Sequence, residues 1–450
     1  MGAETGDAVI TADGRMIDRS PDPVEPARSD FRSPMDYRWG WGLFIGMALF
    51  YVCIGTVPSF SHGAEPEATV STVPESVAGR TLDEWRDVIK SLDPKSPEAA
   101  REVDGLIAVM SDEHVPWFTR RQSALTLGRI GEPAARAIPL LVQYAKTPTT
   151  GEDMSTALWA IKALALFGRT AASATPTLAH IVTDTNADLA LRMMSIEALC
   201  RIGTANPLAL STVIDLLRSF QPCLGPDRVR SSEELELVVA SIECLELFQG
   251  DAESAVPILL RYSEDREDRV RRAVSVTLGA IGPRAADATT RLAQMTVADH
   301  SHDVRDVAAV ALGKVGGTEL LARILKHPDA EMRERAATAL GYSPGRNPAT
   351  QDALVSARSD ASPLVRIAAI EATERWQSNP QLTAPSAAKE LSAPDRHARV
   401  RAARFLYKLG PQASPALPEL ELLRTHSDSQ VRQAAEKLMA SIKLQIAESK

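Results

Sequence analysis

The side chains best suited to chemistry cluster in short polar strings between apolar runs. His300 and His302 stand with Asp299 and Asp303 in ADHSHD, and imidazole nitrogens with carboxylate oxygens are metal-ligand types. Their spacing matches no strong ligand signature, and the string falls where one unit of the chain should end and the next begin. A polar turn is the favoured reading. Among the cysteines, Cys53 lies in an apolar run, while Cys200 and Cys244 lie in Ala-Leu-rich stretches and read as packed thiols. Cys223 sits in the Pro- and Gly-bearing segment QPCLGPDRVRS, a position open to a disulfide or a reactive thiol, but no CxxC pair or neighbouring base specifies either. The chain has no GxxxxGK[S/T] phosphate loop, GxSxG nucleophile elbow or HExxH metal motif. No catalytic residue, cofactor or metal is expected, and the protein reads as a non-enzyme.

The remaining candidates are arginines. Arg271, Arg305, Arg333, Arg366 and Arg401 each follow Val or Met at intervals of 28 to 35 residues. A guanidinium recurring once per unit either forks a neighbouring turn, holding units together, or lines a surface that recognises acidic groups. The ladder is the favoured of the two. Arg228 and Arg230, in the segment 221–231, are candidates for a local contact loop.

The elements that position these residues follow from composition and period. The 450 residues are 44% hydrophobic but only 5% aromatic, and 50 Lys plus Arg against 58 Asp plus Glu give a net charge of -8. That balance supplies no global basic field, and the units lack interleaved aromatics for base stacking, so nucleic acid is not an expected partner. The strings LTLGRIG, LALFG, LCRIG, LGAIG, LGKVG and LYKLG end at Gly131, Gly168, Gly203, Gly282, Gly316 and Gly410. Each closes an Ala-rich helix, turns, and opens a second helix often marked by Pro near its start. A lone hairpin of this kind leaves an apolar face bare, which stacking covers. About nine units are expected, over 116–150, 151–184, 188–220, 232–264, 266–299, 301–329, 330–361, 363–394 and 397–427, with a terminal helix over 429–447 and cap helices over 79–115. Two units are irregular: LGYSPGRNP replaces the regular turn in 330–361, and QSNPQ follows Trp376.

The D/E-x-x-V-R-x-x-A-like first helices, such as Asp303, Val304, Arg305 and Ala309, and the LG-x-(I/V)-G turns resemble bacterial HEAT repeats, especially the short phycobilin-lyase type. GRTLDEW at Gly79–Trp85 is similar to the lead segment of membrane-linked or secreted HEAT proteins of Planctomycetes. The resemblance covers about residues 116–447 and implies a non-catalytic scaffold for an unknown protein partner. A phycobilin-lyase-like enzyme or accessory, or a structural module of an envelope assembly, are the alternatives.

Ahead of the repeats, residues 1–38 read as a disordered tail and 58–78 as a linker. Between them WGWGLFIGMALFYVCIGTV, residues 39–57, has no charge over nineteen residues, enough for a transmembrane or signal-anchor helix. Five Arg precede it, which would leave the N-terminus cytoplasmic and the repeats extracytoplasmic at a bacterial inner membrane. Cleavage before Ala64, favoured by a start at Met35, would make the protein secreted or periplasmic. The expected fold is therefore an all-α solenoid of HEAT-like hairpins with an N-terminal transmembrane helix.

Overall fold

The computed structural model describes residues 74–146, 152–225, 229–344 and 347–448, and the backbone alone of 8–10, 16–18 and 152–154. The chain divides into two units, 1–70 and 71–450. In the first, β1 (Ala8–Ile10) and β2 (Met16–Asp18) pair antiparallel with Val9 opposite Ile17, inside the stretch where the sequence suggested no strands.

Apart from an isolated bridge between Val77 and Arg80, the regular elements among the described residues of the second unit are helices. The unit opens with a cap pair, α1 (Leu82–Ser91) and α2 (Ala99–Ser111). Thr81 starts α1 with a reciprocal cap: its hydroxyl accepts from the Glu84 N–H while the Glu84 carboxylate accepts from the Thr81 N–H. Trp85 is buried, its Nε1 donating to the Val77 carbonyl at 2.8 Å, so the end of the expected linker packs onto this helix.

Nine helical pairs follow among the described residues: α3 (Trp117–Ile130) with α4 (Ile138–Lys146), α5 (Glu152–Phe167) with α6 (Thr175–Thr183), α7 (Leu189–Ile202) with α8 (Pro207–Ser219), α9 (Ser232–Phe248) with α10 (Val256–Tyr262), α11 (Asp268–Ile281) with α12 (Thr289–Ala298), α13 (His302–Lys314) with α14 (Thr318–Ile324), α15 (Ala330–Leu340) with α16 (Pro348–Ala357), α17 (Pro363–Gln377) with α18 (Pro380–Lys389), and α19 (Arg396–Leu409) with α20 (Leu417–Leu423). The terminal α21 (Ser429–Glu448) closes the array.

Two features of the repeated strings explain the stacking. The glycine ending each string breaks the helix: Gly131 takes φ 77° and ψ -133°, a region costly for any residue with a Cβ, and leads into a 3-10 turn over Glu132–Ala137. In the fourth repeat Gln249 occupies the same place at φ 49° and ψ -134°, with Gly250 one residue late. In three of the strings an earlier glycine, Gly128, Gly279 or Gly313, allows close approach of neighbouring first helices. A Cβ on Gly128 would lie 2.7 Å from the Ala163 carbonyl oxygen, and one on Gly313 would collide with the Ala339 carbonyl. The first helices thus meet backbone to backbone, with Ala and Leu filling what remains.

Two expectations are corrected. No helix among the described residues is long and apolar enough to cross a membrane. The longest of them, α21, carries Arg432, Glu436, Lys437 and Lys443 among its apolar residues, the pattern of a helix with one buried stripe. The stretch 39–57 lies outside the described residues. The fold is an all-α solenoid without an established anchor, and the expected single-pass inner-membrane topology and membrane partnership have no helix to rest on. Second, Cys200 and Cys244 are not separate packed thiols. They form a disulfide between α7 and α9, with S–S at 2.11 Å, because adjacent first helices bring two positions 44 residues apart face to face.

Candidate interaction surface

The arginine series occupies the inter-repeat turns. Arg271 Nη1 donates to the carbonyls of Asp265 and Arg266, six and five residues back, at 2.9 and 2.8 Å. The same pair of bonds recurs at Arg333 with His327 and Pro328, at Arg366 with Asp360 and Ala361, and at Arg432 with His426 and Ser427. Each closes the turn that opens its own helix. The other edge of the guanidinium reaches forward one repeat and forks a carboxylate: Arg271 with Asp299 at 2.8 and 2.8 Å, Arg333 with Asp360 at 2.8 and 2.9 Å, Arg366 with Glu390 at 2.8 and 2.8 Å. The fork from Arg333 is the main cause holding the Asp360 carboxyl below its ordinary range, with the Ser362 N–H adding to it. At Asp299 burial pushes the carboxyl up, and the bonds from Arg271 and Ser301 overcome it and leave the group low. One side chain thus ties a turn to itself and to the next.

Arg401 does not belong to this row. The residue bonding the turn carbonyls in α19 is Arg399, through Ala393 and Pro394 at 2.8 and 3.0 Å, and the buried residue beside it is Ala398, not Val400. With Arg399 in place, Arg333, Arg366, Arg399 and Arg432 recur every 33 residues. Arg401 instead projects from the first-helix layer, bonding Glu371 of α17 at 2.8 Å and Glu334 of α15 at 2.6 Å. The Arg401 side chain thus reaches past α17 to the repeat beyond and links the first helices of three consecutive repeats.

The first-helix layer carries a seam of charge that the sequence did not reveal. Lys162 meets Glu197 at 2.8 Å between α5 and α7, and Arg269 meets Glu236 at 2.9 Å between α11 and α9. Arg335, nearly buried, meets Asp306 at 2.5 Å between α15 and α13, and His302 sits between Asp306 and Glu331 at 3.1 and 2.5 Å. Burial raises the Glu334 carboxyl despite Arg401, and the charge of Asp306 adds to the rise. Helical spacing across different repeats, not proximity in sequence, assembles the seam, which is why no local motif marks it. His302 is thereby placed in a hydrogen-bonded helix start; among the described residues no group of His, Cys, Asp and Glu is arranged to hold a metal ion.

The insertion between α8 and α9 differs from its expected role as a presenter of arginine. Arg228 lies outside the described residues. The Arg230 side chain is 2% exposed and forks the fully buried side chain of Asp265 at 3.2 and 2.8 Å. Asp265 also accepts the Cys223 N–H at 2.9 Å, so these groups fasten the base of the loop, while Leu224 and Val229 stand exposed. The two irregular turns border a polar pocket of about 440 Å³ lined by Asn347, Gln351, Trp376, Gln377 and Asn379 among others.

A family model for HEAT repeats matches residues 227–313 and 318–389, the region of stacked pairs and guanidinium forks. The described residues from 117 on form an all-α solenoid of HEAT-like helical hairpins. No curated protein matches this chain in sequence. Among solved structures it is similar to an engineered protein, at 19% identity and a TM-score of 0.33, over 76% of this chain and 99% of the other. It is also similar to Kap95p in a structure with RanGDP, at 13% identity and a TM-score of 0.45 over 81% of this chain and 56% of that one. Importin beta matches at 14% identity and a TM-score of 0.42, over 81% and 55%. The chain therefore spans about half the length of these last two. The bacterial and phycobilin-lyase parts of the expected resemblance find no support in these matches.

Proposed function

We propose that the protein is a scaffold that binds other proteins along its first-helix layer. The observation that carries this reading is the charged seam, and above all the trio Glu334, Glu371 and Arg401, which spans three consecutive repeats on the first-helix layer. A surface built from equivalent positions of successive repeats offers an extended partner many modest contacts in fixed register, without one dominant pocket. Fixed ion pairs favour specificity on such a surface, because a partner must match their charges or leave them unpaired.

Site-specific photocrosslinking tests this reading. A crosslinker at Glu331, on the seam, is expected to capture a discrete partner in the native host, whereas one at exposed Leu422 on α20 of the second-helix layer is not. Adducts from Leu422 alone, or none from seam positions, would overturn it.

A further inference from the structure

The guanidinium ladder has a defect at Arg305. In the turns opening α11, α13, α15, α17 and α21, the residue six before the ladder arginine accepts a hydrogen bond from the N–H two residues on: Asp265 from Glu267, Asp299 from Ser301, His327 from Asp329, Asp360 from Ser362 and His426 from Asp428, at 2.8 to 3.1 Å. These five positions are structurally equivalent. Asp299 and Asp360 use their carboxylates to take the forward fork of Arg271 and Arg333. The forward partner of Arg305 would sit at His327.

That substitution removes the acceptor. His327 Nδ1 takes the Asp329 N–H, so the neutral ring carries its proton on Nε2 and offers a donor where Asp299 and Asp360 offer oxygen. Arg305 keeps its backward bonds, through Nη1 to Asp299 at 2.8 Å and His300 at 3.5 Å. Its Nε is buried and has no acceptor among the described residues. A buried guanidinium edge without an acceptor costs free energy and marks a place where an acceptor from outside is favoured.

We propose that Arg305 binds a carboxylate supplied by an acidic segment of a protein partner, which takes the place of the missing rung beside His327. The shape of the site is set by the rungs at Arg271, Arg333 and Arg366, each of which presents a fork to one carboxylate. The source of the carboxylate rests on the scaffold reading; the site itself does not.

The test uses the full chain, with the Arg305 Nε–H NMR resonance assigned through Arg305→Lys. Sodium acetate and a capped tetraglutamate peptide are titrated at matched ionic strength, alongside inorganic phosphate. The resonance is expected to shift saturably with acetate, and at lower carboxylate concentration with the peptide. In His327→Asp it should sit near the Arg271 and Arg333 positions without ligand, lose the response, and the thermal midpoint should rise. No response to acetate, or the same response in His327→Asp, would mean the gap holds only water and would overturn the site while leaving the crosslinking test of the scaffold untouched. A response to acetate and phosphate with none to the peptide would overturn the partner assignment in favour of a free small anion.

Discussion

Arg401 Nη1 lies 2.6 Å from Glu334 Oε1, although 67 residues and one whole repeat separate them. The contact couples three repeats through one side chain, since Glu371 of the intervening repeat accepts from the same guanidinium. Arg401→Ala leaves two half-buried carboxylates unpaired. A loss of about 1.5–3 kcal/mol is expected, the range for hydrogen bonds to charged groups. Hydrogen exchange should show the loss over 330–409, and a cycle with Glu334→Gln should show coupling between the two positions. Additive effects would contradict the coupling.

Close helix approach sets a second expectation. Gly313→Ala places a methyl against the Ala339 carbonyl, where backbone must yield, and should cost about 1–3 kcal/mol. Gly225→Ala, with nothing within 4 Å, is the control and should leave the melting curve in place.

Gln249 carries the backbone conformation that the other turns assign to glycine. Its side chain is exposed, so Gln249→Gly removes strain without removing packing. Stability should rise by about 1–2 kcal/mol, read from chemical denaturation. A fall would mean the turn is held by contacts of the Gln side chain.

The low carboxyl of Asp360 gives the ladder a pH dependence. A folded-state value below the unfolded one contributes stability that is present above the ordinary Asp value of about 3.9 and is lost as pH falls through the folded value. Asp360→Asn should therefore destabilise the protein at neutral pH, and the difference from wild type should shrink on acidification below that value. A difference independent of pH down to acid unfolding would exclude the ion pair as its source.

The disulfide is checked by alkylating the denatured, unreduced chain. Cys223 should be labelled, and Cys200 and Cys244 only after reduction. Labelling of all three before reduction would count against the bridge.

Much of the fold is local in origin and was legible from residue order. The repeat period, the glycines that end helices and the Thr81 cap depend on propensities and spacings within a few residues. The arginine row was legible as a row, but its register in α19 was not: RHARVRAAR offers Arg399 and Arg401 two residues apart, and it is Arg401 that follows a Val as the other arginines of the row follow Val or Met. Only the direction each guanidinium takes separates them, one to its own turn and the other to carboxylates of two other repeats. A forward fork needs a partner 24 to 28 residues on, so whether Arg305 finds an acid or His327 depends on how turns superpose.

The sequence by itself determined that this chain is a stack of helical pairs, because amphipathic period, helix ends and the need to cover apolar faces are written in each repeat. Tertiary structure alone decided which cysteines meet, which arginine holds a turn and which reaches carboxylates of other repeats. Those outcomes depend on distances between residues of different repeats, set by how the first helices pack against one another.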